Sequence, residues 1–313
     1  MNGRILITPR SLTEAGATAD VLRPLHNAGY DLVFSAPGRL PSGEELARLL
    51  PGCDGYLAGV EKISADVLNH ADTLKVIARN GAGTDNVDLD AARGRGIAVE
   101  RAAGANAQGV AELALALMLC GLRQIPASHT ALRHGMWARS LGREATGRNL
   151  GIVGFGAIGR RLAAASVGLR MTVRYSDLAP VYTTGMDPAP EYTDLDSLVA
   201  ASDVISLHVP ATPDGRPLLD VDRIAALPQG AVVINTARAT LVDEAAMLDA
   251  LENGQVGAYC TDVFADEPPR PSDLLAHPRT VLSAHIGGYT EESSTRAAAE
   301  AVHRLLAVLG AGR

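Results

Sequence analysis

The sequence predicts an α/β protein of two domains, each a parallel sheet covered by helices. Its 313 residues exceed one ordinary domain and fall short of three. Short β-rich runs alternate with amphipathic stretches that open on helix-start residues, the alternation that implies parallel strands. A second such series begins after one long apolar helix, which places a new domain there.

The first series reads as strands at Arg4–Thr8, Asp31–Ser35, Tyr56–Val60, Lys75–Asn80 and Ile97–Glu100. Between them, Ser11-Leu-Thr-Glu14 and Ser42-Gly-Glu-Glu45 have the form of capping boxes, with serine accepting an N–H and glutamate reaching back. The long helix is expected from about Asn106 to Leu122, followed by an arm to about Arg143. The second series is expected at Asn149–Val153, Met171–Ser176, Val204–Val209, Ala231–Asn235, Gly257–Val263 and Thr280–Ala284. Six strands make a complete dinucleotide-type sheet. A last helix, about Glu291 to Leu309, follows with no strand of its own. No internal repeat, low-complexity run or flexible linker interrupts the pattern.

Composition narrows the function classes. The chain is 47% apolar and 20% charged, which argues against disorder, collagen or coiled coil. Twenty-eight basic residues against thirty-five acidic leave a net charge of −7, so a nucleic-acid backbone is a poor partner. Cys53, Cys120 and Cys260 form no CxxC pair; they fit neither a disulfide framework nor a zinc site, and suit a reducing cytoplasm. The opening MNGRILITPR lacks a signal-peptide layout, and the most apolar stretch, Leu113 to Cys120, is far short of the roughly 20 residues a membrane helix needs. A cytoplasmic protein without membrane, nucleic-acid or metal partner is expected.

Gly154-Phe-Gly156-Ala157-Ile158-Gly159 follows a predicted strand and opens a predicted helix. Gly154 allows the tight turn, Gly156 a close approach of backbone to pyrophosphate, and Gly159 tight helix–strand packing. Phosphates then rest on free N–H groups at the helix start. About 20 residues downstream the next strand ends in Asp177, where a carboxylate accepts from the ribose hydroxyls of NAD and repels the 2′-phosphate of NADP. Arg174 is near but precedes the acid, inside the strand. NAD is the expected cofactor.

Later strand ends carry His208-Val209-Pro210, Asn235-Thr236-Ala237-Arg238, Asp262 with Glu267, and His285-Ile-Gly287-Gly288. Ligands of an open α/β sheet lie outside these ends. Arg238 could fork onto a carboxylate, His285 could pass a proton near neutral pH, and Glu267 could orient it. Spacing alone leaves the plainer readings open: a surface arginine, a solvated glutamate, a structural histidine.

Longer motifs carry a resemblance. KVIARNGAGTDNVDLDAA, AELALALMLCGLRQIP, LGIVGFGAIGR, SDVISLHVPATP, GAVVINTARATLVDEAAMLDAL, TDVFADEPP and LLAHPRTVLSAHIGG run from Lys75 almost to the C-terminus. The chain resembles the D-isomer-specific 2-hydroxyacid dehydrogenases, most closely the branch that includes D-3-phosphoglycerate dehydrogenase. The resemblance implies two Rossmann-like domains. An NAD domain (100–287) is inserted into a discontinuous substrate domain (1–99 and 288–313). It implies reversible hydride transfer between nicotinamide and C2 of a 2-oxo or D-2-hydroxy acid, in a homodimer. Arg238 matches the substrate-anchoring arginine, Glu267 the acid paired with the histidine, and His285 the proton donor. Asp262 and Gly288 match residues around the nicotinamide amide, with His208, Val209, Pro210, Thr212, Thr236, Ala237, Arg238, His285 and Gly287 completing the cofactor set. Asn80, Gly81, Ala82 and Gly83 match a loop whose backbone amides hold the substrate carboxylate.

Three departures stand out. Arg238-Ala239-Thr240 replaces the usual Arg-Gly-Gly, a change expected to be tolerated. Where phosphoglycerate dehydrogenases carry an arginine near the third strand's end, this chain has Ala58, with Glu61 opposing a phosphate and Lys62 able to help. No serine-sensing regulatory domain is expected after the closing helix. A cofactor-sensing corepressor of the same fold is the alternative from another class; formate dehydrogenase is disfavoured, since there glutamine replaces the acid.

Other residues read as supporting. His208 is expected to pack under the cofactor. His129 and His134 are five apart, which does not align them on one helix face for a metal. Trp137 reads equally as a cleft residue or an anchor of the dimer arm, Glu112 as a structural hydrogen-bonding residue.

Overall fold

The computed structural model describes residues 2–181, 183 and 185–310. Its contacts divide the chain into two units. The described residues up to Asn106, with those from Thr290 on, form unit 1; Ala107–Tyr289 form unit 2. The division falls later than the 99/100 and 287/288 boundaries expected. A cut after residue 99 would split a strand whose Arg101 pairs with Arg79 in the first sheet. Residues 311–313 of the expected 288–313 segment lie outside the described residues.

Unit 1 holds five parallel strands: β1 (Arg4–Ile7), β2 (Asp31–Phe34), β3 (Gly55–Ala58), β4 (Val76–Arg79) and β5 (Ala98–Arg101). Their order is β2-β1-β3-β4-β5. β3 and β4 are buried on both faces and read as near-continuous apolar runs, as central parallel strands must. The C-terminal helix, Glu291–Gly310, packs on β3, β4 and β5 through Ala298, Ala301, Val302, Leu305 and Leu309. Gly55 makes room for it: a Cβ there would stand 3.2 Å from Leu309.

One capping box forms only in half, and the other not at all. Ser42 caps the helix Gly43–Leu49 by accepting from the Glu45 N–H, but the Glu45 carboxylate turns instead to the Ala36 N–H and Arg39. The first helix, Arg10–Ala15, starts after Pro9, so Ser11 lies inside it and caps nothing.

Unit 2 has seven parallel strands: β6 (Asn149–Val153), β7 (Thr172–Ser176), β8 (Glu191–Tyr192), β9 (Val204–Leu207), β10 (Ala231–Asn235), β11 (Val256–Thr261) and β12 (Thr280–Leu282). The order β12-β11-β10-β9-β6-β7-β8 reverses direction at β6/β9, the crevice where such sheets bind ligands. Six strands are expected from the sequence. The seventh, β8, is a two-residue edge strand, exposed at both positions, and so leaves no apolar pattern to read. The long helix spans Ala107–Arg123 and buries Ala111, Ala114, Leu117, Met118 and Leu122 against this sheet. Within the expected arm a further helix forms, Ile125–Arg133, after Gln124 breaks direction with φ of 50°. No single helix among the described residues is long and apolar enough to cross a membrane.

Candidate active site

Because all strands of unit 2 run parallel, the residue after each strand emerges on one edge of the sheet. That edge carries Gly154 after β6, Asp177 after β7, His208 after β9, Thr236 to Arg238 after β10 and Asp262 after β11. His285 follows three residues beyond β12.

The glycine turn is built as its spacing predicts. Gly154 has φ of +91°, and a Cβ there would come within 2.6 Å of the His208 carbonyl oxygen. Val209 packs against the same turn. At Gly159 a Cβ would collide with the Gly154 carbonyl. A Cβ on Gly156 would meet nothing within 4 Å, so the space above the start of the helix Ala157–Gly168 is open. The helix has no side-chain cap, and its first backbone bond runs from Arg160 N–H to the Gly156 carbonyl. The N–H groups of Ala157 and Ile158 therefore face that space, as a phosphate cradle requires.

Asp177 has both oxygens on backbone donors, Oδ2 on the Phe155 N–H at 2.8 Å and Oδ1 on the Leu178 N–H at 2.7 Å. It thus braces the glycine turn, and each oxygen keeps capacity for a ribose hydroxyl. Arg174, the nearest cation in sequence, pairs with Glu191 at 3.1 Å across β7/β8. The expected outcome is a higher kcat/KM with NADH than with NADPH, and a narrowed ratio in Asp177→Ala. An unchanged ratio in the variant would remove Asp177 from cofactor choice.

Two buried polar atoms on neighbouring strands have no hydrogen-bond partner among the described residues: His208 Nδ1 and Thr236 Oγ1. They sit one residue past the paired Leu207 and Asn235. His208 meets Ser206 Oγ through Nε2 at 2.9 Å, and burial lowers its pKa to about 4. It is neutral at physiological pH and is no proton donor there. Orphaned polar atoms, an open glycine cradle and a ribose-directed acid together fit a nicotinamide dinucleotide. The Thr212 hydroxyl donates to the Arg216 carbonyl at 2.5 Å and holds its own turn. Pro210 is exposed beside it.

The structure brings two of the three candidate catalytic residues into contact. His285 Nδ1–H donates to the Glu267 carboxylate, with both oxygens within 2.8 Å, which leaves Nε2 as its other face. Glu267 is held in turn by the Phe264 N–H at 3.3 Å. His285 adopts φ of 52°, the left-handed region, which costs a residue other than glycine. Asp262 holds that turn. Only 1% exposed, it accepts from Ser283 Oγ at 2.7 Å and from the Ile286 and Gly287 N–H groups at 2.8 Å. Expected beside the nicotinamide amide, Asp262 also anchors the histidine's turn, and its Oδ2, with one donor, keeps capacity for another. Gly288 lies at the end of the same turn.

Arg238 sits on a loop shaped by Asn235, whose role the sequence did not reveal. Buried Asn235 accepts from the Ala237 N–H at 3.1 Å and donates to the Arg238 carbonyl at 2.8 Å. Arg238 Nη1 donates to the Ala237 carbonyl. Neither Ala239 nor Thr240 has positive φ, so the missing glycines cost no strain. Glu112 accepts from Gln108 one turn earlier, a structural bond. Among the described residues no cluster of three His, Cys, Asp or Glu side chains could hold a metal ion.

In unit 1, Asn80 to Gly83 form the loop after β4. The Asn80 N–H donates to the Ala58 carbonyl at 2.9 Å, and Asn80 Oδ1 is a further buried atom without a partner among the described residues. Ala58 is fully buried, its side chain in the core with Leu6 and Ile77. Glu61, expected to oppose a phosphate, is buried as well.

Comparisons with known proteins point to one family. Residues 115–287 match the sequence model of the D-isomer specific 2-hydroxyacid dehydrogenase, NAD binding domain. A hydroxypyruvate reductase of Thermotoga maritima is 37% identical over 85% of this chain and 88% of its own length. A D-3-phosphoglycerate dehydrogenase of Mycobacterium tuberculosis is 39% identical over 85% of this chain, which spans only 52% of that longer protein. A crystal structure of a Thermus thermophilus protein, 34% identical, superposes with a TM-score of 0.86 over 98% of this chain and 97% of that one.

The chain belongs to the D-isomer specific 2-hydroxyacid dehydrogenase family. It is an oxidoreductase with NAD as cofactor, in the two-domain Rossmann-like fold. The corepressor alternative finds no support.

Proposed function

We propose that this enzyme interconverts a small 2-oxo acid and its D-2-hydroxy acid, with Arg238, Glu267 and His285 as its catalytic residues. The contact between His285 Nδ1 and Glu267 carries the reading, because it fixes the ring and aims Nε2 away from its partner. When bound, NADH supplies hydride to C2. As negative charge develops on the carbonyl oxygen, His285 Nε2–H donates a proton to it, and Glu267 stabilises the imidazolium. Arg238 holds the substrate carboxylate and the growing charge on oxygen, which is electrostatic stabilisation of the transition state. In the oxidative direction neutral His285 takes the hydroxyl proton back.

The tail of the substrate is proposed to be free of phosphate. Ala58 stands where the family's phosphoglycerate dehydrogenases carry an arginine, and it is buried. A withheld charge-assisted pair costs a few kcal/mol, about two orders of magnitude in kcat/KM. Hydroxypyruvate, the substrate named in the Thermotoga relative, heads the panel to test, with glyoxylate, longer 2-oxo acids and, in the oxidative direction, D-3-phosphoglycerate. Higher kcat/KM for an uncharged-tail acid is expected. A phosphoglycerate value above all the others would reverse the assignment, with exposed Lys62 then supplying the charge.

We infer further a cytoplasmic homodimer. Ile125, Leu132, Met136, Trp137 and Leu141 are all exposed along one 17-residue stretch, large apolar side chains that an obligate interface would cover. Light scattering at micromolar concentration should give twice the 32.5 kDa of the chain; a monomer would exclude it.

A further inference from the structure

Unit 1 contains a buried polar cluster that none of this chemistry uses. Glu61 is 1% exposed, beyond the end of β3. Its Oε1 accepts from the Thr8 hydroxyl, from Tyr56 at 2.6 Å and from the Gly59 N–H at 2.9 Å. Its Oε2 is buried with no hydrogen-bond partner among the described residues. Burial first, then the charge of Glu61, pushes the Tyr56 hydroxyl well above its ordinary range, so it remains a donor. The counter-charge is Arg79, 6% exposed at the end of β4. Burial lowers the pKa of its guanidinium, and Glu61 is the foremost charge that opposes this. No direct ion pair joins the two among the described residues; Glu61 favours the charged guanidinium from beyond salt-bridge distance.

The guanidinium reaches the loop Asn80–Gly83. Its Nε donates to the Gly83 carbonyl at 3.1 Å and its Nη1 to the Ala58 carbonyl at 3.4 Å. Nη2 would stand 3.6 Å from a Cβ on Gly81. The two preceding carbonyls are tied as well, Gly81 by the Ala102 N–H at 3.0 Å and Ala82 by Arg101 Nη1 at 3.3 Å. The N–H groups of Gly81, Ala82 and Gly83 donate to no protein acceptor among the described residues. Successive unused N–H groups make an anion-binding concavity.

We propose that Arg79, steadied by Glu61, is a positioning residue for the substrate carboxylate: it ties back Gly83 and so keeps three backbone N–H groups available to one anion. This rests on the reading that the loop binds that carboxylate. Arg79 acts through the loop, so it should set affinity for the oxo acid and leave proton transfer alone.

Arg79→Lys keeps the charge and loses the planar fork. With hydroxypyruvate and glyoxylate as probes, the oxo-acid KM should rise about tenfold or more, the usual weight of a hydrogen bond to a charged group. The values of kcat and of KM for NADH should hold within about threefold, and the pH profile should not move. Glu61→Gln retains an acceptor for Tyr56 but removes the charge; it should raise the oxo-acid KM by a smaller factor, and it carries the test if Arg79→Lys does not fold. Ala82→Pro, which deletes one of the three N–H groups, tests the loop itself. If Ala82→Pro raises KM and Arg79→Lys does not, the positioning role is wrong and the loop reading stands. If Ala82→Pro leaves KM unchanged, the loop reading falls and the proposal with it. A fall in kcat at constant KM in Arg79→Lys would also overturn it.

Discussion

His285→Ala is expected to lower kcat by about 10²–10⁴-fold in either direction, the usual weight of a general acid–base residue. The expectation follows from the ring's setting. Its Nδ1 is taken by Glu267, and its backbone is held in a left-handed turn by three donors on Asp262. Those contacts leave Nε2 as the face that can reach a carbonyl oxygen. KM for NADH should change little, because the glycine turn and Asp177 stand on other strands. A fully active His285→Ala, measured by steady-state NADH oxidation, would remove the mechanism.

Arg238→Ala should damage kcat and the oxo-acid KM together. The arginine is assigned to both the ground-state carboxylate and the charge that develops on oxygen, so uniform binding and transition-state binding are lost at once. Charge-assisted hydrogen bonds of this kind contribute about 2–4 kcal/mol, or two to three orders of magnitude in kcat/KM. Arg238→Lys should recover only part, since an ammonium cannot fork onto a carboxylate. A rise in KM with kcat intact would confine Arg238 to substrate anchoring.

Much of this site was legible because parallel sheets simplify it. Once strand and helix alternate, every strand end falls on one edge, and the polar residues at those ends converge despite separations such as the 18 residues between Glu267 and His285. The glycine turn was legible for a local reason: its three glycines answer to the His208 carbonyl, an open cradle and the Gly154 carbonyl. Contacts decided by register were not. That Asp262 holds residues 283–287 is not readable from its motif. Asn235 was part of a motif without a role, and Arg79 was one letter of another. Arg79 reaches the Ala58 carbonyl, three residues before Glu61, because β3 and β4 pair Ala58 with Arg79. The second capping box forms only in half for a similar reason, as Glu45 finds better partners in Ala36 and Arg39 than in its own helix start. β8 was missed because two exposed residues carry no periodicity.

The central claim is that Glu267 and His285 move the proton as a pair. The measurement that tests it most directly is the pH profile of kcat/KM, in both directions, for wild type and Glu267→Gln. Reduction needs the imidazolium, so it should weaken as pH rises, and oxidation should strengthen over the same interval. Glu267→Gln loses the carboxylate that orients the ring and balances its charge, so both profiles should fall below those of wild type while NADH binding is kept. Profiles of wild type and variant that superimpose in both directions would contradict the account.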